Sequence, residues 1–237
     1  MTPPAPRGRP DTAAGRPAGP PAARRPGPPH EPATGLSRPP HEPAARRPSR
    51  EELAAAVDRT LPDVLAPDLA VLFVGINPGL WSAATSRHFA RPGNRFWPAL
   101  HRGGFTPEQM HPSQQDDLPR YGLGITNLAA RATARADELT PEELVTGVRI
   151  LTDTVRRYRP RWVAVLGVTA YRTGFARPKA RFGPQPERLG EARLWVLPNP
   201  SGLNAHFQLA DLAAEFARLR VATGQFAADG GSASSAT

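Results

Sequence analysis

Leu69-Ala70-Val71-Leu72-Phe73-Val74 runs directly into Gly75-Ile76-Asn77-Pro78-Gly79-Leu80-Trp81-Ser82, an unbroken apolar hexapeptide followed by a loop of small and turn-forming residues. Six apolar residues without a polar alternate describe a strand buried on both faces, the condition of a strand inside a parallel sheet. Residues 162–166 and 194–197 read the same way, each bounded by charged residues or by Gly and Pro, and 122–128 is a weaker fourth strand. Between them lies a strong helical pattern over 140–158. Thr140 is placed to cap it, Pro141 suits its first turn, Glu143 completes a capping box, and Leu144, Val148, Leu151, Val155 and Tyr158 form one apolar stripe. A last helix is expected over 205–222, carrying Leu209, Leu212, Phe216 and Leu219, with Asn204 as its cap.

Strands alternating with helices predict an α/β fold: a single three-layer domain with a mostly parallel central sheet flanked by helices. Such sheets bind ligands beyond the carboxyl ends of their strands. The loops after Val74 and after Leu197 should therefore share one edge. They are also the two most unusual loops in the chain, the second reading Pro198-Asn199-Pro200-Ser201-Gly202-Leu203-Asn204.

Outside this core the composition changes. Half of the 30 prolines fall in the first fifty residues, which hold almost no large apolar side chain and cannot bury enough surface to offset the entropy of ordering. The expected organisation is a Pro/Arg-rich disordered tail over 1–52, one domain over 53–224, and a second disordered tail over 225–237. Pro-Pro-His-Glu-Pro-Ala occurs at 28–33 and again at 39–44, which reads as low-complexity drift. The formal charge of +9 is almost entirely arginine and suits attraction to a phosphate backbone. There is no cysteine, which removes disulfides, thiolate catalysis and Cys-metal sites. No apolar run approaches the roughly 18 residues of a membrane span, so an intracellular, cytoplasmic protein is expected.

Each of the two loops alone is a turn signal. Together, at two strand ends, they place small residues where backbone amides can approach a ligand. Farther along the first loop, Phe89 offers an aromatic face to a base, and Asn94-Arg95-Phe96-Trp97 follows, with Phe96 and Trp97 at helical spacing from Leu100 and so assigned to the core.

Gly-Ile-Asn-Pro-Gly-Leu at 75–80, Asn-Arg-Phe-Trp at 94–97, Gly-Phe-Thr at 104–106, Gly-Ile-Thr-Asn at 124–127 and Trp-Val-Leu-Pro-Asn-Pro-Ser-Gly-Leu at 195–203 stand in an order and spacing that resemble the mismatch-specific uracil/thymine-DNA glycosylases of the uracil-DNA glycosylase superfamily. The resemblance covers about 66 to 220. It implies a monomeric enzyme that binds duplex DNA carrying a mismatched or damaged base, flips out uracil opposite guanine and hydrolyses its glycosidic bond without metal or cofactor. By the same resemblance Asn77 holds the attacking water and Phe89 stacks on the extruded base. The backbone at Ile76, Gly79 and Phe89 meets the uracil edge; Ser82, in the pocket, bears on which lesion is preferred, and Asn127, at the end of the weaker strand, supports the pocket or the water or else makes a structural hydrogen bond. Ser201, Gly202 and Leu203 match the loop that enters the duplex, Leu203 being its wedge. Some family members carry an arginine soon after that leucine; here Asn204-Ala205 follows, so Asn204 is the expected DNA contact at that point and contact with the orphaned guanine stays open. A different lesion, such as single-stranded uracil or hypoxanthine, and a non-catalytic DNA-binding module are the competing readings.

Lysine usage bears on mechanism. Strand cleavage through a Schiff base needs an amine near the sugar. Lys179 is the only lysine and lies far in sequence from both loops, so it is expected to be solvated or to touch phosphate. His88 and His206, beside the two motifs, are expected to be partly exposed rather than acids.

Overall fold

The computed structural model describes residues 47–224. The four apolar segments form β1 (Val71–Gly75), β2 (Leu123–Asn127), β3 (Trp162–Leu166) and β5 (Ala192–Leu197), all mutually parallel. A fifth strand, β4 (Gly183–Leu189), pairs antiparallel with β5 at the sheet edge, giving the order β2-β1-β3-β5-β4. Pro184 and Pro186 hide β4 from any reading by pattern, because proline cannot donate to a ladder; an edge strand tolerates it.

Burial on both faces explains the continuous apolar runs. Phe73, Ala164, Leu166, Trp195 and Leu197 point to one side, where helices α3 (Phe96–Arg102) and α6 (Leu209–Thr223) cover them. Leu72, Val74, Val163, Val165, Leu194 and Val196 point to the other, under α4 (Pro141–Tyr158) and α5 (Val168–Gly174). This alternation follows from the two-residue period of a strand. Phe73 anchors the first core: its ring stacks on Phe216 at 5.6 Å between centroids and meets Phe96 and Phe105 edge-on. Phe216 is fully buried, so Phe216→Ala should cost about 3–5 kcal/mol. Phe96 and Trp97 are core residues, as their spacing indicates.

Helix α4 begins at its expected cap. The Thr140 hydroxyl accepts from the Glu143 N–H and the Glu143 carboxylate accepts from the Thr140 N–H. The last helix starts later than expected. Asn204 does not cap it; α6 opens at Leu209, where the Asp211 carboxylate accepts the Gln208 N–H at 2.8 Å. The stretch 205–208 belongs to the preceding loop instead, because its backbone is engaged elsewhere. A short helix, α1 (Arg50–Ala54), capped by Ser49, straddles the boundary expected at residue 52. The tails over 1–46 and 225–237, with both copies of the hexapeptide, lie outside the described residues.

Candidate active site

The loops leaving β1, β2 and β5 meet beyond the carboxyl ends of the parallel strands, beside the point where the strand order reverses around β1. They enclose a cavity of about 600 Å³. Ile76, Asn77, Gly79, Ser82, Phe89 and Asn127 line it, and Ser201 and Leu203 face them from the loop after β5. Gly202 and Asn204 are not part of its wall; Asn204 lines a neighbouring groove.

Asn77 is held in one orientation by a chain of donors and acceptors. Its Nδ2 donates to Thr133 Oγ1 at 2.7 Å and to the Arg131 carbonyl at 3.1 Å, with the Pro78 carbonyl at 3.2 Å. The Thr133 hydroxyl proton is already used, since Oγ1 donates to the Arg135 carbonyl at 2.7 Å. Thr133 can therefore only accept from Asn77, which fixes which end of the amide is nitrogen. Asn77 Oδ1 accepts no hydrogen bond from the described residues and is left to receive one from a ligand or a water. The carbonyl that holds Asn77 is itself tied back to α4. The Arg131 guanidinium forks onto Glu143, the capping-box residue, and reaches Asp58. Hydrogen bonding by Arg131 holds the Glu143 carboxyl down to about 2.

Close packing fits Gly75, Asn127 and Phe89 together. A Cβ at Gly75 would stand 2.4 Å from Asn127 Oδ1, so glycine at the strand end leaves the Asn127 side chain its place, with the Phe89 ring in ordinary contact beyond it. The Gly75 and Ile76 carbonyls accept from the Leu128 and Ala129 amides, each at 2.9 Å, which extends the β1–β2 ladder into the site. Phe89 stacks on buried Phe96 at 4.2 Å and, half-buried, lines the cavity. Its backbone is left-handed, with φ 53°, a conformation that bulky residues seldom adopt. Ser82 helps hold it there: Ser82 Oγ accepts the Ala90 N–H at 3.3 Å.

His88 differs from expectation. It is 2% exposed, not partly solvated, and its Nε2 lies 3.0 Å from the Pro62 carbonyl. A carbonyl only accepts, so Nε2 carries the proton. Burial pulls the imidazole pKa down to about 4, so His88 is neutral near pH 7 and cannot serve there as a cationic acid. His206 is exposed.

The loop after β5 is anchored from outside itself. Arg95 donates through its guanidinium to the carbonyls of Ser201, Phe207 and Asn204, the last at 2.8 Å, and its N–H meets the Pro200 carbonyl at 2.9 Å. A Cβ at Gly202 would come within 2.6 Å of the Gly93 carbonyl, so glycine lets the two loops touch. Leu203, 73% exposed, crowns the loop.

Residues 131–135, which hold Asn77, escaped sequence reading. The signal was available: they follow β2, and the rule that marked the loops after β1 and β5 applies to that strand as well. Arg91 and Arg135 line the cavity mouth, Arg135 paired with Asp137. Among the described residues no three His, Asp or Glu side chains converge on a metal-sized site, and no helix is long and apolar enough to cross a membrane. Lys179 is exposed and does not line the cavity.

A family model described as the uracil DNA glycosylase superfamily matches residues 62–220. Among solved structures, the chain is similar to a solution NMR structure of a candidate uracil DNA glycosylase from Methanosarcina acetivorans, with 19% identity and a TM-score of 0.47, over 69% of this chain and 99% of that one.

Proposed function

From the premise that the chain belongs to the uracil DNA glycosylase superfamily, we propose that it is a monofunctional, mismatch-directed glycosylase that extrudes uracil, and other modified pyrimidines, from G:U and G:T mispairs. The observation that carries this reading is the fixed Asn77 amide, which lines the cavity together with Phe89 and whose Oδ1 accepts no hydrogen bond from the described residues. Extrusion costs roughly a few kcal/mol and least for a poorly paired base, which favours a wobble pair before any contact reads it.

In the cavity, Asn77 Oδ1 accepts a hydrogen bond from water and aims its oxygen at the sugar C1′. As the bond from C1′ to the base nitrogen lengthens, its electron pair leaves with the base as an anion, and main-chain N–H groups around Ile76, Gly79 and Phe89 stabilise that charge. The water oxygen bonds to C1′ and its proton passes to solvent. Asparagine supplies position rather than basicity, so turnover is slow beside an enzyme with a carboxylate there. The cavity wall holds no lysine, so the abasic strand is left intact. Leu203 enters the duplex and fills the space of the missing base. A monomer acting inside the cytoplasm completes the proposal.

The test is a labelled duplex with one uracil opposite guanine, incubated with wild type and Asn77→Ala and treated with or without hot alkali. Cleavage confined to wild type plus alkali is the expected result. Cleavage without alkali, or undiminished cleavage by Asn77→Ala, would sink the proposed mechanism.

A further inference from the structure

On the far side of the loop after β5 lies a second groove, of about 640 Å³. Asn199, Ser201 and Leu203 line both this groove and the cavity around Asn77, so the loop is a crest with Leu203 at its top and a hollow on either flank. The far hollow has an aromatic wall. Phe182, 37% exposed, meets Phe207 edge-on at 5.0 Å, and exposed His206 stands beside them.

The segment bearing Phe182 joins α5 to β4 and is strapped in place. Arg172 donates twice to the Ala180 carbonyl, at 2.9 and 2.8 Å, and Gln185 Nε2 donates to the Arg181 and Gly183 carbonyls. Lys179 and Arg181 lie on the same segment, close in sequence to Phe182 and outside the groove's own lining. Both are exposed, and neither makes an ion pair with the described residues, whereas Arg177 in the same stretch is paired with Glu187. An exposed aromatic with two unpaired cations on a fixed segment suits a nucleic-acid strand: bases stack on rings and phosphates pair with cations.

We propose, resting on the glycosylase reading, that the groove receives the strand opposite the extruded nucleotide, its widowed base against Phe182 and its phosphates toward Lys179 and Arg181. The geometry requires DNA on both flanks of the crest, since a wedge that penetrates a duplex leaves the flipped nucleotide on one side and the partner strand on the other. Stacking reads any base alike, so this surface secures the opposite strand without strict demand for guanine. It takes up the work that an arginine after the wedge would do; Asn204 cannot, because its side chain is spent on the Asn199 carbonyl and the His206 N–H.

The test uses the full chain and an uncleavable tetrahydrofuran abasic analogue, in a duplex opposite guanine and in a single strand, with binding followed by anisotropy across a salt series. Phe182→Ala should weaken duplex binding about tenfold and leave single-strand binding unchanged. Lys179→Gln with Arg181→Gln should flatten the duplex slope of log K against log salt by about one to two, again with no change on the single strand. All three positions are exposed, so these variants fold. Equal losses on both substrates, or none on the duplex, would overturn the proposal. Duplex-selective losses from a protein that releases no uracil would support the groove and remove the activity assigned to the cavity.

Discussion

Two loops leave the same sheet edge with nearly the same words, Asn77-Pro78-Gly79-Leu80 after β1 and Asn199-Pro200-Ser201-Gly202-Leu203 after β5, and they are built to opposite ends. In the first, the asparagine is the payload: its amide is locked by Thr133 and Arg131, and the leucine opens helix α2 (Leu80–Thr85). In the second, the leucine is the payload, 73% exposed, and the asparagine is scaffold, its Oδ1 accepting the Ser201 N–H at 2.9 Å. A turn sequence thus sets where the chain bends, while the surroundings decide which of its side chains is offered to a ligand.

Breaking the contrast begins at its most sensitive point. Asn77→Ala should lower uracil excision roughly a hundredfold to a thousandfold while binding to an uncleavable duplex persists, read by single-turnover gel assay and anisotropy. Next comes His88, behind the first loop. Its folded pKa near 4 lies below the unfolded value of 6.5, so the unfolded chain takes up a proton first. Stability should therefore be level above about pH 6.5, fall as pH drops toward 4, and level again below that, by about 3 kcal/mol in all. Asp63, whose carboxyl burial raises, works in the opposite sense at acid pH. Urea unfolding of wild type and His88→Gln across this range isolates the histidine: the variant should lack the step.

Thr133→Val deletes the acceptor that fixes the Asn77 amide and should slow excision about tenfold with duplex affinity intact. If Thr133→Val cleaves like wild type, amide orientation is set elsewhere. Leu203→Ala should reduce duplex excision about tenfold through lost apolar contact, with single-stranded uracil unaffected and stability within about 0.5 kcal/mol. A Leu203→Ala defect that extended to single strands would erase the distinction between the two loops.

Much of this was legible in the chain. The four parallel strands, α4 and its capping box, and the convergence of the two loops follow from apolar runs, one helical stripe and a rule about sheet edges. What stayed hidden acts through main chain or from the wrong kind of sequence. Thr133 and Arg131 sit in an Ala/Arg-rich stretch without periodicity, and Arg131 serves Asn77 with its carbonyl, a group every residue has. Arg95 stood within a quoted motif, yet its task is to gather three carbonyls from more than a hundred residues away, and only the folded chain brings them within reach. The burial of His88 is not legible because it depends on other segments, Pro62 meeting its ring and Gln115 accepting its backbone N–H.

The left-handed backbone at Phe89 also bears on what evolution can do with this protein. An aromatic at positive φ carries a backbone cost of order 1 kcal/mol that glycine would avoid. Phe89→Gly should therefore ease the main chain while removing the ring that stacks on Phe96. Strain and packing are thus joined at one position: a variant that relaxes the backbone there also gives up core contact with Phe96, so the ring is held in place by more than its task.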